Sequence, residues 1–339
     1  MTLVLILCAA VWGLGWVFSA PVWQRWLVMG AVWALAFVYF GVPGDLGSDS
    51  ARVWVLVTFG GVVVAVYRQL LAALRRRVTP PVVAITTKPL FKKEEIDRYA
   101  RHILLREIGG PGQKALKQAR VLVIGAGGLG SPALMYLAAA GVGVIGVMDD
   151  DVVEASNLQR QIIHKTQNVG LDKVASAKAA MLDLNPFVEV RAIKARFDDE
   201  TAGLLADYDL ILDGSDNFDT RYLVNRLAAK AGKPLISAAI TQWEGQISLY
   251  DPAHGTPCYE CIFPNRPAPG MVPTCAEAGV AAPLPGVVGA MMAMEAVKHV
   301  TGAGQGLKGR LMIYDALYAD VRVIGLKPRN DCPVCGASH

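Results

Sequence analysis

Charged side chains are scarce at the start of this 339-residue chain. None interrupts residues 1–24, and residues 1–67 hold only Arg25, Arg52, Asp45 and Asp49. Acid is missing from residues 68–93, which carry Arg68, Arg75, Arg76, Arg77, Lys88, Lys92 and Lys93. A basic excess is missing from residues 94–339, where 24 Lys and Arg face 27 Asp and Glu. That balance excludes the basic face expected of a nucleic-acid binder. The five histidines (His102, His164, His254, His299 and His339) show neither metal-ligand nor triad spacing. There is no internal repeat. With 53% apolar residues and a mean hydropathy of +0.36, the chain is not disordered.

The first region is apolar and rich in tryptophan, with Trp12, Trp16, Trp23, Trp26, Trp33 and Trp54 all before residue 55. Its apolar runs are Leu3–Phe18, Trp26–Val42 and Val53–Tyr67. The expectation is a membrane anchor over residues 1–77 with two or three transmembrane helices; buried helices of a globular domain are the alternative. A secretory signal peptide fits poorly, because nothing basic precedes the first run and further runs follow it. The basic flank after the last run sets the orientation. It implies an inner (cytoplasmic) membrane location with the C-terminal bulk of the chain facing the cytoplasm. Residues 78–93, with Thr79–Pro81 and Lys88–Pro89, are expected to form an extended linker.

From residue 94 the pattern changes. Glu94–Leu105 has the spacing of an amphipathic helix, with Ile96, Tyr99 and Ile103 on one face. Val121–Gly125 is a short apolar run ending in the turn Gly125-Ala126-Gly127-Gly128-Leu129-Gly130, followed by a helix to Ala140 and a strand Val144–Met148 ending at Asp149. This is a strand, glycine turn, helix, strand unit. Further strands are expected at Val188–Ile193, Leu210–Asp213, Leu235–Ala239, Gln246–Tyr250 and Leu311–Tyr314. Without Cβ atoms, Gly125, Gly127, Gly128 and Gly130 let backbone N–H groups and a helix N-terminus approach a phosphate. Asp149 stands where a carboxylate accepts bonds from ribose hydroxyls. The turn alone fits a nicotinamide or flavin enzyme as well as an ATP user, and a structural tight turn also fits.

Cys258-x-x-Cys261 and Cys332-x-x-Cys335 are matched pairs whose four thiolates suit one closed, structural Zn²⁺ site. Two disulfides are the rival, disfavoured by an inside-facing location. Cys8 reads as a small apolar residue of the anchor. Cys275 falls after the Pro-rich stretch 264–273 and reads either as a half-buried residue without chemistry or as a nucleophile on a mobile crossover loop. Polar clusters stand where strands end: Asn157-Leu-Gln-Arg160-Gln161, Lys173 opening a helix after Gly170, and Asp213-Gly-Ser-Asp216-Asn217. Such cations neutralise a polyphosphate, and a carboxylate can hold its Mg²⁺.

Together with Arg98-Tyr-Ala-Arg101 and the Thr274–Val280 stretch, these motifs resemble in order those of the MoeB/ThiF family, relatives of the ubiquitin-activating enzymes, over residues 94–339. The resemblance implies an α/β fold: a Rossmann-like doubly wound sheet with a C-terminal zinc-bound region, here preceded by the transmembrane helices. It implies an adenylyltransferase that activates the C-terminal glycine of a small ubiquitin-fold sulfur carrier with ATP and Mg²⁺. ATP would lie on the glycine loop with its ribose at Asp149. Asn157, Arg160 and Lys173 would contact phosphates, Asp216 would bind Mg²⁺, and Arg101 would reach across a homodimer into the partner's site. The Cys275–Val280 run is closer to the molybdopterin branch; the thiamin branch is the alternative, and in some of its members a cysteine here links covalently to the carrier. No rhodanese-like domain follows Cys335, so the expected sulfur donor is a separate protein. Outside this class stand a Rossmann oxidoreductase, which would not require Arg160, Lys173 and Asp216, and a membrane-tethered scaffold without catalysis.

Overall fold

The computed structural model describes residues 2–18, 21–41, 49–78, 90–268, 271 and 278–336, which fall into two compact units, Met1–Thr87 and Lys88–His339. In the first unit, α1 (Thr2–Val17) packs on α2 (Val22–Gly41), and α2 on α3 (Asp49–Val78). Large apolar side chains stay exposed on all three, among them Trp16, Leu35 and Phe59.

The expectation of transmembrane helices is overturned here. Among the described residues, no helix is long and apolar enough to cross a membrane. The 16 residues of α1 extend about 24 Å, short of a hydrocarbon core of about 30 Å. Gln24 and Arg25 lie in the first turn of α2, and the 30 residues of α3 take in Asp49 and Arg52 at one end and Arg68 and Arg75–Arg77 towards the other. The inner-membrane location and the membrane as a partner fall with it. The loop carrying Asp45 and most of the 78–93 linker lie outside the described residues.

The second unit is built on one eight-stranded sheet of order β3-β2-β1-β4-β5-β6-β7-β8. Its strands are β1 (Arg120–Ile124), β2 (Val144–Met148), β3 (Glu189–Ile193), β4 (Leu210–Asp213), β5 (Leu235–Ile240), β6 (Glu244–Tyr250), β7 (Arg310–Asp315) and β8 (Asp320–Gly325). Strands β3 to β5 pair in parallel, and β6 to β8 continue antiparallel. The Rossmann-like α/β expectation therefore stands, with seven strands placed within two residues of their sequence positions. Alternation in β1 fills both faces: Val121 and Val123 join one core cluster and Leu122 and Ile124 the other.

The helices of this unit are α4 (Lys93–Ile103), α5 (Gly109–Gln118), α6 (Gly130–Ala140), α7 (Lys173–Leu184), α8 (Phe218–Lys230), the short α9 (Tyr259–Ile262) and α10 (Pro283–Thr301). In α4 the expected face is only partly right: Tyr99 is buried and Ile103 half-buried, but Ile96 is exposed. The helix instead buries Glu95, which is ion-paired to Lys117 and accepts the Lys92 backbone N–H at 2.9 Å. Sequence patterns marked neither α5 nor α10, and β8 escaped because five of its six residues are exposed.

Strand β1 has β2 on one side and β4 on the other, while the connections from β1 and β4 leave in opposite directions along the sheet. That reversal opens a crevice at the strands' C-terminal ends, where α/β sheets bind ligands.

Candidate functional site

Two turns meet in that crevice. Ile124 pairs with both Met148 and Asp213, so the glycine turn, Asp149 and the Asp213–Asn217 turn all leave the sheet at one level. A Cβ on Gly130 would collide with the Gly125 carbonyl oxygen, and one on Gly125, whose φ is +94°, would lie 3.0 Å from the Gly214 carbonyl oxygen. Glycine at 130 lets the glycine turn close on itself, and glycine at 125 lets it touch the Asp213–Asn217 turn.

Asp149 closes the glycine turn from β2. Its carboxylate accepts from the Ala126 N–H at 2.7 Å and from the Asp151 N–H at 2.9 Å. Lys173, nearly buried at the first position of α7, donates to the exposed Asp151 carboxylate at 2.7 Å. Arg160 donates to Asn157 Oδ1 at 2.9 Å, and its Cγ would lie 3.7 Å from a Cβ on Gly128. Both cations are therefore held beside the turn by neutral or solvent-facing partners that a polyphosphate could replace.

Opposite them, Asp213 is fully buried and accepts from the Ser215 N–H, the Ser215 hydroxyl and the Ser237 hydroxyl. Arg221, on α8, donates to the carbonyls of Ser215 and Ala238. These bonds fix the turn that presents the exposed Asp216 carboxylate. Asn217 caps α8 by accepting from the Thr220 N–H at 2.9 Å. A hard carboxylate in a rigid turn is of the kind that suits Mg²⁺.

His164 was given no role by its sequence position. It is buried, and burial pushes its pKa down, so it stays neutral. Nε2 lies 3.0 Å from the Ala126 carbonyl oxygen, which can only accept, so Nε2 carries the proton. Nδ1 then accepts from the Ser176 hydroxyl at 2.9 Å, tying the glycine turn to α7. Ser237, Arg221 and His164 sit far along the chain from the turns they hold. No local pattern marked them.

Arg101 is exposed near the end of α4, with no hydrogen-bond or ion-pair partner among the described residues, and nothing in one chain brings it to the crevice. Cys275 lies outside the described residues.

The four cysteines gather elsewhere. Cys258 at the start of α9 has its Sγ 3.9 Å from that of Cys261 and 3.6 Å from that of Cys332; Cys261 and Cys335 are 3.3 Å apart. All four sulfurs lie within 4.8 Å of one another, buried and in no disulfide. A tetrahedral Zn–S₄ site requires S···S separations of about 3.8 Å. Burial pushes the Cys258 thiol up and the Cys335 thiol to about 12. Burial also raises Cys332, but backbone N–H groups of Cys335 and Val334 and the neighbouring Cys258 and Cys261 outweigh it and hold that thiol low. Four buried thiols cannot all ionise without a cation, so the donor set fits Zn²⁺. The Arg329 N–H already points at Cys261 Sγ from 3.5 Å. Tyr259, between the first pair, packs edge-on against Tyr222, and its N–H is held by Asn225 Oδ1 at 2.8 Å, both on α8.

The ThiF family matches residues 99–334, about two thirds of the chain and all of both crevice turns. A sulfur carrier protein adenylyltransferase of Thermus thermophilus is 50% identical over 251 residues, covering 73% of this chain and 93% of that protein. The chain belongs to the ThiF family. A second relative, the SAMP-activating enzyme E1 of Haloferax volcanii, is 48% identical over 243 residues, covering 71% of this chain and 89% of its own length. Among solved structures, E. coli MccB with AMPCPP and MccA superposes with a TM-score of 0.62 at 24% identity, covering 71% of this chain and 74% of that one, which speaks for the fold alone. The MoeB/ThiF resemblance of the sequence motifs is thereby borne out.

Proposed function

We propose that this chain is an ATP-dependent adenylyltransferase that activates the C-terminal glycine carboxylate of a ubiquitin-like sulfur carrier. The observation that carries this reading is the junction of the glycine turn with the Asp213–Asn217 turn, flanked by Asp149, Arg160 and Lys173, in a chain 50% identical over 251 residues to a sulfur carrier protein adenylyltransferase.

The turn's N–H groups and the start of α6 face the phosphates. Asp149 accepts from the ribose hydroxyls. Asn157 donates to phosphate oxygens, while Lys173 and Arg160 turn from Asp151 and Asn157 to neutralise them. A carboxylate oxygen of the carrier attacks the α-phosphorus; that O–P bond forms, the bond from the α-phosphorus to its bridging oxygen breaks, and pyrophosphate leaves with the electron pair. Asp216 would hold Mg²⁺, which supplies charge neutralisation at the phosphates. Positioning and electrostatics suffice for such chemistry, with no proton abstracted from the carboxylate.

Within the same proposal, residues 94–339 form the adenylation domain and the four cysteines hold a structural Zn²⁺. Arg101 completes the site of a second copy in a homodimer. The Cys275–Val280 run favours a carrier of the molybdopterin branch over the thiamin branch, and Cys275 has no part in adenylation. Carrier-dependent ATP–pyrophosphate exchange tests the reading. Exchange should require the carrier's terminal glycine; exchange that is absent, or indifferent to removal of that glycine, overturns it.

A further inference from the structure

Asp216 is exposed, and among the described residues its carboxylate has no hydrogen-bond or ion-pair partner. Its placement therefore depends on the backbone on either side of it. On one side Asn217 caps α8; on the other, the Ser215 carbonyl accepts from Arg221 at 2.8 Å. That carbonyl belongs to the planar peptide joining Ser215 to Asp216, so the bond fixes the plane from which Asp216 departs.

Arg221 is itself a buried cation, 6% exposed, that forms no ion pair among the described residues. Its fork also donates to the Ala238 carbonyl of β5 at 2.9 Å, and the guanidinium carbon lies over the Tyr259 ring, 5.9 Å from its centroid. At that distance the ring face attracts the cation and helps to offset its burial. Tyr259 is held in turn. It stands between Cys258 and Cys261, and its N–H donates to Asn225 Oδ1. Its ring packs on those of Tyr222, Tyr250 and Phe263, with centroids 5.2, 5.9 and 4.7 Å away. An unbroken run of contacts thus leads from the cysteine cluster to the Asp216 turn: ring, guanidinium, carbonyl.

We propose that Tyr259 and Arg221 are positioning residues for adenylation, coupling the metal-bound cysteine cluster to the carboxylate that binds Mg²⁺. The inference rests on the adenylyltransferase reading above, with Asp216 at the Mg²⁺. A cluster closed on its metal keeps the ring seated over Arg221, and so lowers the Mg²⁺ concentration at which Asp216 is filled. Such coupling is reciprocal, so Mg²⁺ and ATP in the crevice must tighten zinc binding at the cluster.

Tyr259→Leu, Tyr259→Phe and Arg221→Lys in the full, zinc-loaded chain test it. The readouts are zinc content, thermal melting, the Mg²⁺ dependence of ATP–pyrophosphate exchange, and zinc retention against a chelator with and without Mg²⁺ and ATP. Tyr259→Leu should keep one zinc per chain yet need about fivefold or more Mg²⁺ for half-maximal exchange, with the rate at saturating Mg²⁺ changing less. Tyr259→Phe keeps the ring and should need the wild-type amount. Arg221→Lys keeps the charge but loses the fork that spans Ser215 and Ala238, and should match Tyr259→Leu; it also decides the matter if Tyr259→Leu does not fold. Zinc retention needs no variant: Mg²⁺ with ATP should strengthen it about fivefold or more in the wild type, and less in Tyr259→Leu and Arg221→Lys. A Tyr259→Leu or Arg221→Lys chain that melts lower yet keeps the wild-type Mg²⁺ requirement makes that residue structural and overturns the proposal alone. Wild-type zinc retention indifferent to Mg²⁺ and ATP, in a chain that does catalyse exchange, overturns it too. A wild-type chain with neither exchange nor a melting shift on adding ATP and Mg²⁺ overturns the adenylyltransferase reading and this inference together.

Discussion

The crevice at the glycine turn and the cysteine cluster both lean on α8, yet they are built on opposite rules. In the crevice, functional side chains are held by partners they can leave: Lys173 by an exposed Asp151, Arg160 by Asn157. At the cluster, four buried sulfur donors converge on one another, all within 4.8 Å. The first arrangement keeps charge available to a ligand that comes and goes. The second is satisfied only by an ion that stays. Losing a group from the crevice should therefore cost rate, and losing one from the cluster should cost the fold.

The largest effect separates the two most sharply. Chelating the metal, or Cys332→Ser, should unfold the second unit or lower its melting temperature well beyond any crevice variant, because metal binding at a structural site is folding free energy. One zinc per chain by elemental analysis is the companion expectation. Two disulfides and no zinc would erase the contrast.

Next come Asp216→Ala and Lys173→Met, which should reduce exchange about 100- to 1000-fold while melting stays close to wild type. The methionine keeps the apolar stem that Lys173 buries and removes only the charge. Near-wild-type exchange in either purified variant would take that residue out of the site. A collapse in melting would mean that the crevice carries stability after all.

The smallest effect concerns His164, which belongs to the crevice but behaves as a fold-holding group. Burial lowers its folded pKa below the unfolded value of about 6.5, so the unfolded chain binds the extra proton first. Its contribution is present above about pH 6.5 and is lost as pH falls towards the folded pKa. Thermal melts between pH 7.5 and 5 should show that loss, and His164→Gln should flatten the slope by about 2–4 °C. An unchanged slope would mean that the imidazole is not held neutral between Ala126 and Ser176.

Much of the crevice was legible in the chain because its parts are local. Gly125–Gly130 directly follows an apolar run, Asp149 ends the next one, and Lys173 opens a helix; strand, turn and cap signals act over a few residues. The spacing of both Cys-x-x-Cys pairs was local in the same way. The N-terminal helices misled for the complementary reason. Their apolar runs read as spans, but α1 is too short and α2 and α3 take in charged residues that the runs left out.

By itself, the sequence determined the order of the first seven strands, the glycine turn and the inventory of sulfur and charge, since each depends on neighbours along the chain. The tertiary structure alone decided that β4 lies beside β1, which brings Gly214 against Gly125 and sets the Asp213–Asn217 turn beside the glycine turn. It also decided that His164 and Arg221 hold those turns. Pairing, burial and hydrogen-bond satisfaction are relations between residues distant in sequence, and they exist only once the sheet has closed around them.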